Sequence, residues 1–197
     1  MKKLIIYGNS GLGSEVKRTA ECLGYEQILF FDDNTSLSHF NSFNDLITTT
    51  DQGDHIFIAI ASVVAREKVF RAIEKSHFEF VNIIHPSVQI HPSIKIGFGN
   101  YIAHGSILSN DISIEDCNLI NSAIIGHHVT LGSLNTLGPL TFIGGNASIG
   151  NMNSMDLRSS VLQGKTIKNC NHILPLAIVS RNYDSNNKLI GFPSRKL

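Results

Sequence analysis

The sequence predicts an α/β unit over residues 1–84 followed by an all-β parallel β-helix of hexapeptide repeats over residues 85–197. Three observations carry this. Short apolar runs alternate with helical stretches up to about residue 82, the order of a small parallel sheet with helices packed on it. After His85-Pro86 an aliphatic residue recurs every six positions. Glycine repeatedly follows that aliphatic, at Gly97, Gly126, Gly132, Gly138, Gly144 and Gly150.

The first unit opens with "MKKLIIYG", two lysines and four apolar residues before glycine. A secretion signal needs an apolar stretch of roughly 7–15 residues, so this is expected to be a first strand. The glycine-rich stretch Gly8, Asn9, Ser10, Gly11, Leu12, Gly13 follows it and opens a helix, "SEVKRTAECLG", which should stop at Gly24. "QILFFDD" is a second strand ending in Asp32 and Asp33, and "DHIFIAIA" is a third. "VAREKVFRAIEKSHF" has helical spacing, with Val64, Val69, Ala72 and Ile73 near one face, and "FEFVNII" is expected to be the last strand.

The second unit keeps its phase for about ninety residues. Stepping by six from Ile90 meets Ile96, Ile102, Leu108, Ile114 and Ile120. Restarting at Ile125 meets Leu131, Leu137, Ile143, Ile149, Met155, Val161, Ile167, Ile173 and Val179. Four residues after the aliphatic, small or modest side chains recur, among them Ser106, Val129, Asn135, Thr141, Ala147, Asn153, Ser159 and Ala177. One short strand cannot bury its aliphatic residue alone, so stacked coils must share one core. A sandwich would show turn signals every 8–12 residues instead. The phase slips once, between Ile120 and Ile125, which removes one residue from a corner.

Composition narrows the function. Charged residues are 16% of 197 and the formal net charge is zero, with no cluster of Lys/Arg for nucleic acid or an anionic membrane. No segment approaches the roughly 20 apolar residues of a membrane span. Cys22, Cys117 and Cys170 are odd in number and widely spaced, which fits reduced thiols in the cytoplasm.

Just after the slip stand His127 and His128, in "IIGHHVTLG". They fall between the inward positions Ile125 and Val129, so both should face outward. Adjacent residues on an extended strand point to opposite faces, which disfavours joint chelation of one ion. His104 holds the same offset from Ile102, but spacing suggests no third ligand, and no metal is expected. Surface filler and a catalytic base both remain open on the residues alone.

Taken together, "LIIYGNSGLGSEV" (4–16), "FFDD" (30–33), "IFIAIA…R" ending at Arg66, "VNIIHPSVQIHPSIKIG" (81–97), the hexapeptides and the closing "GFPSRK" (191–196) resemble the nucleotide-sugar acetyltransferases of the PglD/NeuD type. These bacterial enzymes build amino sugars for surface glycans. The resemblance runs along almost the whole chain. It implies a Rossmann-like domain joined to a left-handed β-helix, a hand that periodicity alone does not give. It implies a homotrimer with active sites between neighbouring β-helices, acetyl-CoA as co-substrate, no bound cofactor, and a UDP-linked 4-amino sugar as acceptor. Gly8, Asn9, Ser10, Gly11, Gly13, Asp32, Asp33 and Arg66 become the nucleotide-sugar-binding set. The glycine loop alone would suggest a dinucleotide, but the unit is too small for a full NAD fold.

The family's general base maps to His127, and an asparagine that precedes the base maps to Asn121. An amine must be neutral to attack a thioester, and an imidazole can take its proton near neutral pH. In the donor groove the resemblance places Gly145, Asp156 and Pro175. The chain departs from the family at several of these places. His128 stands where an acidic residue should orient the base. Asn135 and Thr136 occupy the region of a second histidine. Asp156 replaces a glycine, and Leu174, Pro175 and Leu176 replace a Gly-Gly stretch. Ala61, Ser62 and Val63 alter the nucleotide pocket. The expected function is N-acetylation of a nucleotide-linked amino sugar. A sugar O-acetyltransferase and a non-catalytic binding or assembly subunit are the alternatives. A hydroxyl needs a stronger base than a neutral amine, which favours the amine.

Overall fold

The structure, a computed structural model, describes residues 3–196; the outermost residues of the two expected units, 1–2 and 197, lie outside that range. The first unit runs β1 (Leu4–Tyr7), α1 (Gly11–Cys22), β2 (Ile28–Phe31), a 3₁₀ turn (Thr35–Leu37), α2 (Phe43–Thr49), β3 (His55–Ile58), α3 (Val63–Ile73) and β4 (Glu79–Phe80). Its four strands are parallel, in the order β2-β1-β3-β4. Alternate residues of β1 feed two cores. Leu4 and Ile6 pack with Val16 and Ala20 of α1, and Ile5 packs with Leu46 of α2 and Ile73 of α3.

Three readings change here. The stretch 78–84 is not one strand: β4 stays in the α/β sheet, whereas β5 (Ile83–Ile84) pairs with Tyr101–Ile102 of the β-helix. The sequence reading passed over α2, although its start carries a signal. Ser42 accepts from the Asp45 amide (3.1 Å), and the Asp45 carboxylate accepts from the Asn41 amide (2.8 Å), a reciprocal cap. On α3, Val64 is 66% exposed, and the inward place falls to Arg66 at 1%.

Residues 83–190 wind into a left-handed parallel β-helix with three faces. The first face stacks 83–84, 101–102, 119–120, 136–137, 154–155, 172–173 and 188–190. The second stacks 107–108, 124–125, 142–143, 160–161 and 178–179, and the third 95–96, 113–114, 130–131, 148–149 and 166–167. We call the turns leaving these faces the first, second and third corners. Ile102 pairs with Ile120, eighteen residues on, whereas Leu108 pairs with Ile125, seventeen on. The dropped residue lies in the first corner after Ile120. There the left-handed position is Ser122, two residues past the aliphatic, where other turns place it third, as at His128 (φ 57°).

The aliphatic column from Ile102 to Val179 forms one continuous core. At the third corner the filler is a ladder of asparagines: Asn100, Asn118, Asn135, Asn153, Asn171 and Asn187. Each side-chain oxygen accepts from the amide and the Nδ2 of the next, at 2.8–3.2 Å. Every rung thus satisfies polar groups that would otherwise be buried without partners. The chain ends in a hairpin of Lys188–Ile190 and Arg195–Lys196 that folds against the last coil through Ile178. Tyr101 and Leu119 on the first face join the α1 core, so the two units share buried surface.

Candidate functional site

The first candidate region forms where β1, β2 and β3 end. In a sheet ordered β2-β1-β3-β4 the chain crosses over between β1 and β3, the place where open α/β sheets bind ligands. A cleft of about 240 Å³ opens there, lined by Tyr7, Gly8, Ser10, Asp32, Asp33, Ala59, Ile60 and Ala61. Gly8 has φ +108°, and a Cβ on it would stand 2.8 Å from the Ala59 carbonyl, so only glycine closes this crossover. Gly13 packs under the same loop, and Gly11 is open to solvent.

Not every expected ligand group is free. The Gly8 amide donates to the Phe31 carbonyl (2.7 Å) and the Asn9 amide to Asp32 (2.8 Å). Asp32 also accepts from the Asn34 amide (2.9 Å), and the Asn9 side chain donates to Leu37 O (2.7 Å). Asn9 and Asp32 therefore build the loop, leaving the amides at the start of α1 for an anion. Asp33 is exposed and accepts from the Tyr7 hydroxyl (3.0 Å); burial and Asp33 push the Tyr7 pKa up. An adjoining cleft of about 390 Å³ adds Phe43, Ala65, Lys68 and Val69. Phe43 was missed in the sequence because the helix carrying it was; Lys68 sits on the expected helix α3, outside the motif that ends at Arg66.

Arg66 does not belong to this set. Its guanidinium is buried and donates to the carbonyls of Ile60 (2.6 Å), Ala61 (3.1 Å), Cys117 (3.1 Å), Leu134 (2.9 Å) and Asn135 (3.1 Å), and to Thr136 Oγ1 (2.9 Å). All five N–H donors are engaged, so none is left for a ligand. Burial lowers its pKa to about 10. Arg66 ties the cleft wall at Ile60 and Ala61 to two coils of the β-helix.

The second region is the second corner. His127 and His128 are both exposed there, as expected. The strand argument for opposite faces fails, because His128 sits in the left-handed turn and swings back beside its neighbour. The rings meet edge to face (84°), with Nδ1 to Nδ1 at 3.0 Å. His127 lies against Gly145 of the next coil: a Cβ on Gly145 would be 2.6 Å from His127 Nε2. On the other side of the pair, His128 Nε2 is 3.7 Å from Asp111 Oδ2, in the coil before. Among the described residues no three His, Cys, Asp or Glu side chains gather as a metal site.

The remaining expected residues do not join this pair within one chain. Asn121 is on the first corner, at the far end of strand 124–125 from His127. Asp156 and Pro175 are on that first corner too, with Asp156 bound to His172 Nε2 (2.7 Å) and Leu176 64% exposed. Gly145 alone of the donor set lies on the second corner. Further along that corner stand Gln163 and Gly164, then a groove of about 720 Å³ lined by Ser180, Arg181, Ile190, Gly191, Phe192, Pro193, Ser194 and Arg195. Between the two corners, Ile107, Ile124 and Phe142 align in register on the outer side of the second face and remain exposed. No described helix is long and apolar enough to cross a membrane.

Residues 3–73 match the sequence family described as the PglD N-terminal domain. The whole fold is similar to that of PerB from Caulobacter crescentus, solved with CoA and GDP-perosamine: 25% identity, 100% of this chain and 98% of that one covered, TM-score 0.94. A histidine variant of perosamine N-acetyltransferase from the same organism matches at 24% identity, 100% and 97% coverage, and TM-score 0.93. The acetyltransferase domain of PglB from Neisseria gonorrhoeae, solved with acetyl coenzyme A, matches at 22% identity, 100% and 99% coverage, and TM-score 0.90.

Proposed function

We propose that this chain, whose residues 3–73 match the PglD N-terminal domain, is an acetyl-CoA-dependent N-acetyltransferase for a nucleotide-linked amino sugar. One observation carries the reading. His127 projects from the second corner over Gly145, with Nδ1 engaged by His128 and Nε2 turned to the space that glycine leaves. An Nε2 without a proton is a base. PerB, of the same fold, is named with CoA and GDP-perosamine, which supports the pairing of donor and acceptor.

The chemistry balances with one base. The sugar amine attacks the thioester carbonyl and its proton passes to His127 Nε2. A C–N bond forms and the C–S bond breaks. The departing thiolate takes the proton from the imidazolium, giving an amide and free CoA thiol. The acceptor's nucleotide is assigned to the cleft at Gly8, Ser10 and Asp33. Phosphate meets the amides opening α1 and Lys68, and Asp33 accepts from a hydroxyl or a base N–H. The donor's phosphates suit Arg181 and Arg195 in the groove that ends the second corner. UDP, expected from the resemblance, and GDP, carried by the neighbour's ligand, are told apart by assaying both. The division into a nucleotide-sugar-binding unit and an acyl-transfer unit is part of this reading, as is a cytoplasmic location. The boundary moves from the expected 84/85 to before Ile83, which pairs with the β-helix.

A homotrimer completes the site. Asn121 lies on the opposite corner from His127, so it reaches a base only across a subunit boundary, and the apolar column Ile107, Ile124 and Phe142 between the corners needs cover. Mixing inactive His127→Ala and Asn121→Ala chains after co-refolding would restore about a quarter of the sites if each site takes His127 from one chain and Asn121 from the next. No recovery would place both groups in one chain's site and overturn the shared arrangement. The activity itself is tested by thiol release from acetyl-CoA with UDP- and GDP-linked amino sugars. Release that His127→Ala leaves untouched would remove the base from the mechanism.

A further inference from the structure

We infer that Asp111 and His128 act together as positioning residues for His127, a relay of carboxylate, imidazole and imidazole running across two coils; this rests on the proposed role of His127. Three observations support it. His127 Nδ1 and His128 Nδ1 are 3.0 Å apart, so one proton lies between two nitrogens and one ring must accept. His128 Nε2 faces the Asp111 carboxylate at 3.7 Å. Asp111 is itself held in place: its amide donates to Ser93 Oγ (2.8 Å) and its carboxylate accepts from Asn110 Nδ2.

These contacts select one pair of tautomers. A carboxylate at His128 Nε2 favours a proton there, which leaves His128 Nδ1 bare as an acceptor. His127 must then donate from Nδ1, and its Nε2, beside Gly145, carries no proton. When His127 Nε2 takes the amine proton, the pair gains one positive charge. The shared Nδ1 proton can shift to His128, moving that charge towards Asp111. No proton needs to reach Asp111, and the charge returns when His127 passes its proton to the thiolate. The substitution of His128 where the resemblance expects a carboxylate thus does not remove negative charge from the site; it places that charge one side chain further away, on the preceding coil.

His128 occupies a left-handed position (φ 57°) that asparagine also tolerates, so His128→Asn keeps the turn and an acceptor for His127 but cannot carry charge. Asp111→Asn keeps the other turn. The test uses the full chain with ¹⁵N-labelled histidine. The relay predicts His127 protonated on Nδ1 with Nε2 bare, and His128 protonated on Nε2. Asp111→Asn should shift the His127 ring resonances in the native background and leave them unmoved beside His128→Asn. In thiol release with acetyl-CoA and GDP-perosamine, Asp111→Asn should lower kcat about two- to fivefold, the scale of a half-exposed ion pair, with KM unchanged. That loss should vanish in the His128→Asn background. A proton on His127 Nε2, or an Asp111→Asn effect of equal size in both backgrounds, overturns the relay. The predicted tautomers with no acetyl transfer by the native chain would leave the relay standing and overturn the proposed function.

Discussion

Replacing Gly145 by alanine should disable His127 without harming the fold. The added Cβ would stand 2.6 Å from His127 Nε2 and 2.7 Å from Cε1, against an ordinary contact of about 3.4 Å. The ring must therefore move by about 0.8 Å or more, and it is free to do so because it is exposed. Gly145 does not sit in the left-handed region, so alanine fits the backbone and should leave stability within about 1 kcal/mol. Misplacing a catalytic group by about 1 Å can cost about 100-fold in rate, or roughly 2.7 kcal/mol of barrier. The assay is thiol release from acetyl-CoA, run beside a thermal melt. His127→Ala should show no further loss when Gly145→Ala is added, since both act through one ring. Near-native turnover by Gly145→Ala at unchanged melting temperature would refute the placement of the base over this glycine.

Four further outcomes follow from the fold. Arg66→Ala strands the carbonyls of Ile60, Cys117 and Leu134, whereas Ala61 and Asn135 keep donors in Thr136 Oγ1 and the Leu119 amide, and it should cost at least about 3 kcal/mol, or roughly 6–12 °C in melting temperature; a change of a degree or two would refute its role as a buried tie. Burial and Asp116 push the Cys117 thiol up to about 12, so near pH 8 a thiol reagent should label exposed Cys22 and Cys170 quickly and Cys117 only on unfolding. The unfolded thiol ionises near 9 and the folded one near 12, so between those values the unfolded chain holds fewer protons and stability falls as pH rises, an effect Cys117→Ser should remove. Asn135→Ala removes the side-chain bond to Asn118 and the oxygen that accepts from Asn153, breaking the asparagine ladder on both sides, and should destabilise by roughly 2–3 kcal/mol in a denaturant titration, with equal stability arguing against the ladder.

The repeat was legible because each aliphatic hit is an independent copy of one packing demand, and the phase from Ile96 to Val179 held in or against the core with its slip at Ile120; the first hit, Ile90, is instead exposed, and Val88 and Ile94 fill the core at that end. The glycine loop and the outward histidines were legible for similar local reasons. What escaped the sequence is contact between distant segments. Arg66 matched a motif position, yet its fate was decided by carbonyls some fifty to seventy residues away. Asp111 was invisible because its relation to His128 exists only between stacked coils. The dropped residue makes that separation seventeen rather than eighteen. The separation of Asn121 and His127 in one chain was implicit in their spacing of six, which in a hexapeptide repeat carries a residue to the next corner.

His127 as the base of an acetyl transfer is tested most directly by free thiol released from acetyl-CoA by the full chain with GDP- and UDP-linked amino sugars, native against His127→Ala. Acceptor-dependent release and an N-acetylated sugar product by mass are expected, with a fall of about 100-fold or more in the variant. Equal release by both chains, or none by the native chain with either acceptor, would contradict that role.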